Sequence, residues 1–320
     1  MRFAPALFAL ALGVLSSLAA AQAYPNKPIR LIVAFPPGGT VDAIARPLAE
    51  RLSVALGQSV VVESRPGAQT MIAGELVAKS QPDGYTLYVM SASHLLTPYL
   101  IRKVPFDPVN DFTAITIFGT QAYVFAASST QPFSSLKEMV AFAKTNAGGV
   151  SIGVSDATTQ AVVEALRAQT GVGFTVINYK GGGPIFTDLL GGQLPVGIVS
   201  PPVFAPYAKD LRLRGLAVSQ PARMPLLPDV PSVDEALGGS GFDVQTWYGF
   251  AGPANLPRPI VARLHAEIMK ILAEPDMKKV IANVGLVAPA DPSPEASQAL
   301  LKSYQQKMGT LLQSAGIKPE

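Results

Sequence analysis

AFPPGGTVDAIARPLAERL, residues 34–52, is the stretch from which the fold is read. It is entered by a short apolar run, residues 29–35, suited to a parallel strand buried on both faces. It is left by Val41, Ile44, Ala45, Leu48, Leu52 and Ala55, which recur at helical spacing. Between the two, Pro36-Pro37-Gly38-Gly39-Thr40 delivers the chain to a helix start. Such a start leaves backbone N–H groups without partners and carries the positive end of the helix dipole, so it favours an anion. Glycine removes the Cβ that would hold a ligand off. The unit is therefore strand, glycine loop, helix, with an anion at the junction. Pro47 deletes one helix hydrogen bond and predicts a kink past the binding end.

The unit recurs along the chain. Residues 59–63 read as a strand, Thr70 as the cap of a helix through Lys79, Pro82-Asp83-Gly84 as a turn, and residues 86–90 as a strand. A second series starts near Val124, where Ser135 and Glu138 have capping-box spacing ahead of a helix through Thr145 that Gly148 ends. A strand at 150–154, a helix at 158–170, a strand at 174–179 and a helix after Gly183 continue it. This alternation predicts two α/β modules, each with a mainly parallel sheet covered on both faces. No flexible linker separates them, because residues 119–125 pass directly from one apolar segment to the next. Residues 243–251 read as a further strand, followed by helical stretches at 257–273 and 293–313. A chain that returns to its first module crosses the junction twice, which makes a two-strand hinge around a cleft. The expected division is a signal peptide at 1–23, one domain from 24–122 plus 248–320, and a second from 123–247.

Composition limits what such a molecule does. The first residues give Arg2, an apolar run, and Ala21-Gln22-Ala23, the pattern of a cleavable export signal. The chain has no cysteine, so its core holds without disulfides. Its net charge of +3 falls to +2 without Arg2, too balanced for a nucleic-acid partner or a membrane surface. With two histidines and no cysteine, a His/Cys metal centre is excluded and no cofactor is called for. The phosphate-loop, dinucleotide and nucleophile-elbow glycine patterns do not occur. His94, just after the strand at 86–90, is a candidate ligand donor and equally suits a helix-starting or partly buried histidine, and His265 reads as a solvated or satisfied residue on a helix surface. The other glycine loop, Tyr179-Lys180-Gly181-Gly182-Gly183-Pro184, has the same design as the first, with Pro184 suited to a first helical turn.

Several motifs in one order carry a resemblance. Tyr24-Pro25-Asn26-Lys27-Pro28-Ile29-Arg30 leads into Ala34-Phe35-Pro36-Pro37-Gly38-Gly39-Thr40-Val41-Asp42. Arg65-Pro66-Gly67-Ala68, Pro82-Asp83-Gly84-Tyr85-Thr86-Leu87, the Lys180 loop and Asp188-Leu189-Leu190-Gly191-Gly192-Gln193 follow. Together they resemble the Bug family, the periplasmic substrate-binding receptors of tripartite tricarboxylate transporters. The resemblance implies a type II-like periplasmic binding protein whose two α/β domains close on a small organic carboxylate, a di- or tricarboxylate, an amino acid or an aromatic acid. It implies membrane permease subunits as partners, a monomer, and no enzymatic activity; an exported hydrolase and a receptor reporting to a sensor protein are the alternatives. It implies contacts from Phe35, Gly38, Gly39, Thr40, Gln69, Thr70 and Ser91 on one side, and from Ser155, Thr158, Thr159, Gly182, Gly183 and Ser200 on the other. Gln69-Thr70 stands where the family has small glycines, and Asp156 where it has small neutral residues. Asp156 either points to solvent or meets a cationic group. Thr70 and Thr158 are equally suited to capping helices.

Overall fold

The computed structural model describes residues 24–146, 149–239 and 241–319. The export signal expected at 1–23 and the helix end expected at Gly148 lie outside them. The first sheet contains β1 (Ile29–Val33), β2 (Val60–Ser64), β3 (Thr86–Ser91), β4 (Phe112–Gln121) and β10 (Thr246–Pro253), in the order β2-β1-β3-β10-β4. The second contains β5 (Val124–Ser128), β6 (Val150–Val154), β7 (Phe174–Asn178), β8 (Val196–Val199) and β9 (Leu213–Val218), in the order β7-β6-β8-β5-β9. The protein is thus a two-domain α/β fold with one arrangement used twice.

Each sheet is apolar on both faces, as the continuous apolar runs require. Along β1, Ile29, Leu31 and Val33 pack into one core and Ile32 into the other, because successive side chains of a strand point to opposite faces. Helix α1 (Thr40–Leu56) covers the first face with Ile44, Ala45, Leu48 and Leu52, continuing through Pro47. Helices α2 (Met71–Ala78) and α3 (Ala92–Leu100) lie on the other. In the second domain α4 (Leu136–Thr145) and α5 (Ala157–Thr170) cover one face and α6 (Gly182–Leu190) and α7 (Pro201–Phe204) the other. A short α8 (Val233–Leu237) leads back to the first domain, where α9 (Arg258–Leu272), α10 (Pro275–Asn283) and α11 (Pro294–Ser314) complete the chain.

One strand in each sheet departs from the parallel expectation. β1 pairs in parallel with β2 and β3, and β6 with β7 and β8, but β10 is antiparallel to β3 and β4, and β5 to β8 and β9. The cause is the crossing. β4 ends at Gln121 and β5 begins at Val124, so a strand entered straight from the hinge runs away from it, against its neighbours. β10 re-enters the first sheet from the same edge and is reversed for the same reason.

Ser219, fully buried, holds both crossings together. Its Oγ accepts from the Tyr123 amide at 2.8 Å and donates to the Val244 carbonyl at 2.7 Å. Its amide donates to the Tyr123 carbonyl at 2.9 Å, and its carbonyl accepts from the Val244 amide at 3.0 Å. The last helix ties the domains a second time. Leu301 lies in the first domain's core, whereas Met308 and Leu312 lie in the second's. At the other end of the chain, the Tyr24 hydroxyl donates to the Gly84 carbonyl at 2.8 Å and the Lys27 ammonium sits 4.2 Å above the Tyr85 ring. The motifs at 24–30 and 82–87 are therefore a structural clasp.

Ser219→Ala leaves the Tyr123 amide and the Val244 carbonyl without a side-chain partner, at a cost of about 1–3 kcal/mol. Denaturant unfolding is expected to show a lower midpoint with an unchanged m value.

Candidate ligand site

Every loop that the sequence marks as a candidate leaves the carboxyl end of a parallel strand: β1 to α1, β2 to the 3-10 turn Ala68–Thr70, β3 to α3, β6 to α5, β7 to α6 and β8 to α7. In open α/β sheets this edge is where ligands bind. Only residues 122–123 separate β4 from β5, so the two edges adjoin across the hinge.

On the first side, Gly38 has φ +91°, a left-handed conformation that favours glycine. Its amide donates to Asp42 Oδ2 at 3.1 Å, and Asp42 Oδ1 lies 2.8 Å from Arg46 Nε. Burial pushes the Asp42 carboxyl up, but Arg46 and the Gly38 amide outweigh it and hold it below its ordinary range. Gly39 is the N-cap of α1 at φ −89°, with no side chain capping the helix. Phe35 is half-buried between the two cores of the first domain. Thr40 is buried, beside the Tyr248 hydroxyl.

The second loop is strained. After Gly67, the residues Ala68, Gln69 and Thr70 all have positive φ, at 44°, 50° and 73°. Left-handed backbone costs a residue with a Cβ roughly 1–2 kcal/mol, and here three follow one another. Thr97 fastens the turn: its Oγ1 donates to the Gln69 carbonyl at 2.7 Å and lies 3.3 Å from Thr70 Oγ1. Thr70 stands at the start of α2 but its side chain does not cap that helix, because the left-handed backbone turns it toward Thr97. Ser91, at the start of α3, is 2% exposed, and its Oγ has no hydrogen-bond partner among the described residues.

On the second side the start of α5 is already occupied. Asp156 Oδ1 accepts from the amides of Thr158 and Thr159, both at 2.9 Å, and Thr159 Oγ1 returns to the Asp156 amide at 3.0 Å. This capping box corrects the expectation that Asp156 points freely to solvent, and it removes Thr158 as the cap. The Thr159 hydroxyl also accepts from the Ser155 amide at 3.0 Å, so it is consumed within its own turn. Burial raises the Asp156 carboxyl above its ordinary range, while the amides of Thr159 and Thr158 and the hydroxyls of Thr159 and Ser93 oppose the rise. Thr158 Oγ1 lies 3.0 Å from Ser93 Oγ of α3, a buried contact between the domains. Ser93 escaped the sequence reading; its place two residues beyond Ser91, on the inner face of a helix that the apolar run had hidden, was its only signal.

The start of α6 is the converse. Gly181 has φ +136°, no side chain caps the helix, and Lys180 beside it is exposed. Tyr179 Oη donates to Asp188 Oδ2 at 2.7 Å, which secures the loop and accounts for Asp188 in the motif that follows. Ser200 precedes α7, half-buried, without capping it. Both histidines are structural in placement. His265 Nδ1 lies 3.1 Å from the Ile115 carbonyl. His94 has no exposed surface: its ring stacks on Phe106 at 5.2 Å and meets Tyr88 and Phe112 edge-on. This corrects the reading of His94 as a ligand donor, because the ring faces the core and not the strand edge. Among the described residues no three His, Cys, Asp or Glu side chains gather as a metal site, and no helix is long and apolar enough to cross a membrane.

The model of the tripartite tricarboxylate transporter family receptor matches residues 44–317. The chain belongs to that receptor family. A relative from Pseudomonas sp. (strain P51), the UPF0065 protein in the tcbD-tcbE intergenic region, is 33% identical to the receptor over 311 residues, 96% of this chain and 92% of that protein. Among solved structures, the periplasmic binding protein BugD aligns with a TM-score of 0.83 at 31% identity, covering 93% of this chain and 100% of that one. Rpa4515 of R. palustris with adipate aligns with a TM-score of 0.85 at 29% identity, again covering 93% and 100%. The receptor is accordingly a periplasmic solute-binding protein of the Bug type and not an enzyme, which sets aside the hydrolase alternative.

Burial holds the His94 imidazole down at about 3, against an ordinary 6.5, with the Pro108 carbonyl opposing. Between those values the unfolded chain binds a proton that the folded receptor refuses, so stability falls as pH drops below 6.5, by up to about 1.4 kcal/mol per pH unit. His94→Phe is expected to flatten this acid slope in chemical unfolding measured between about pH 6.5 and 4.

Proposed function

We propose that the receptor captures a small organic carboxylate between its two domains and delivers it to the membrane subunits of a tripartite tricarboxylate transporter. The observation that carries this is a set of glycines that no close packing and no backbone conformation requires. A Cβ at Gly39, Gly182 or Gly183 would meet nothing within 4 Å, and none of the three has a backbone conformation reserved for glycine. They stand at the starts of α1 and α6, two helices with no side-chain cap, on the two facing edges. Bare amides at both ends of a gap suit an anion that both domains grip. The adipate held by Rpa4515 supports the same ligand class here by analogy.

In this reading the contacts come from Phe35, Gly38, Gly39, Thr40, the strained Gln69-Thr70 turn and Ser91 on one side. Ser155, Gly182, Gly183 and Ser200 face them, and Thr158 and Thr159 act through position, not through free hydroxyls. The moving bodies are residues 24–122 with 248–320 and residues 123–247, hinged at Ser219. One chain supplies both halves, so a monomer suffices.

Screening the exported protein by thermal shift against mono-, di- and tricarboxylates tests the reading, since a ligand at 100 times its Kd adds about 2.7 kcal/mol. Absence of a shift with every carboxylate would overturn it. Gly39→Val is expected to keep the fold, with a cap penalty of about 1 kcal/mol, and to lose most of the affinity. Unchanged affinity would reduce the loop to a connection.

A further inference from the structure

The glycine loops leave open how much negative charge the gap tolerates, and the structure contains an answer on its floor. Asp156 follows the carboxyl end of β6 and occupies the start of α5 with its own carboxylate. That start is the one place on the second side, besides α6, where a ligand carboxylate would find free amides, and both amides are spoken for. The carboxylate is close to the opposite domain as well. Two residues on, Thr158 Oγ1 lies 3.0 Å from Ser93 Oγ of α3, so the start of α5 abuts the other domain. Asp156 is therefore at the seam of the two edges, with the unpartnered Ser91 Oγ at the start of the same α3. An exposed cation, Lys180, borders the uncapped start of α6.

The gap is thus polar in an ordered way. Its α6 end offers free amides and an exposed ammonium, and its floor carries a fixed carboxylate. From this asymmetry we infer that Asp156 is a specificity determinant: the receptor takes a solute with a single carboxylate, bound at the glycine loops, and a neutral or cationic remainder over the floor, and it rejects more highly charged acids. The inference rests on the carboxylate reading and adds to it the charge of the ligand. A second ligand carboxylate brought to within about 6 Å of a fixed one weakens binding on the order of tenfold to a hundredfold in a partly shielded site.

Asp156→Asn isolates the charge. Asparagine caps a helix as well as aspartate does, so the capping box and the fold persist while the negative charge is lost. The experiment is calorimetric titration of the exported protein and of this variant with butyrate, γ-aminobutyrate, succinate, tricarballylate, benzoate and terephthalate. The original protein is expected to bind the monocarboxylates or the amino acid more tightly than their di- and tricarboxylate counterparts. The variant is expected to gain at least tenfold for succinate, tricarballylate or terephthalate, to change little for butyrate and benzoate, and to weaken for γ-aminobutyrate. A preference of the original protein for the more highly charged acids, or a variant that shifts all ligands equally or none, overturns the inference while leaving the carboxylate reading intact. Absence of binding by every compound to both proteins overturns the carboxylate reading and the inference together.

Discussion

A chain that leaves a sheet at the edge where its loops bind ligands has to enter the next sheet from that same edge. This constraint organises the molecule. It reverses β5 and β10 against otherwise parallel neighbours, and it sets the two rows of loops against each other with only residues 122–123 between them. It also concentrates mechanical responsibility in a small place. Ser219, with four hydrogen bonds to Tyr123 and Val244, makes the two crossings act as one piece of backbone.

Much of this was written in the sequence. Apolar runs of strand length, the spacing of α1, and the Ser135 and Glu138 pair all became the elements expected, because each signal is local and each was confirmed by burial on both sides. What escaped is instructive for the opposite reason. The reversal of β5 and β10 depends on where the chain crosses, a property of the whole path that no window of residues contains. Helix α3 was not assigned because Ala92 to Thr97 is buried together with its polar residues Ser93, His94 and Thr97, so polar and apolar positions do not separate an outer face from an inner one.

The candidate site divides in the same way. The glycine loops were legible as strand-to-helix junctions, since each follows an apolar run of strand length and opens a helix. The hydroxyls were less so. A threonine at a helix start reads alike whether it serves a ligand, a neighbour or its own backbone, and the structure gives Thr159 to its own turn, Thr158 to Ser93 and Thr70 to Thr97. His94 was open for a related reason: a histidine after a strand end reads alike as donor or as buried ring until Phe106 and Phe112 are seen to enclose it.

The final helix has a meaning beyond packing. Leu301 is fixed in the core of one domain and Met308 and Leu312 in the core of the other, while the Tyr304 hydroxyl donates to the Gln245 carbonyl at 2.9 Å on the returning crossing. A rod clamped at both ends and touched by the pivot in its middle resists bending more the further it is bent. α11 therefore belongs to both domains at once, and any change in the angle between them has to be taken up along its length.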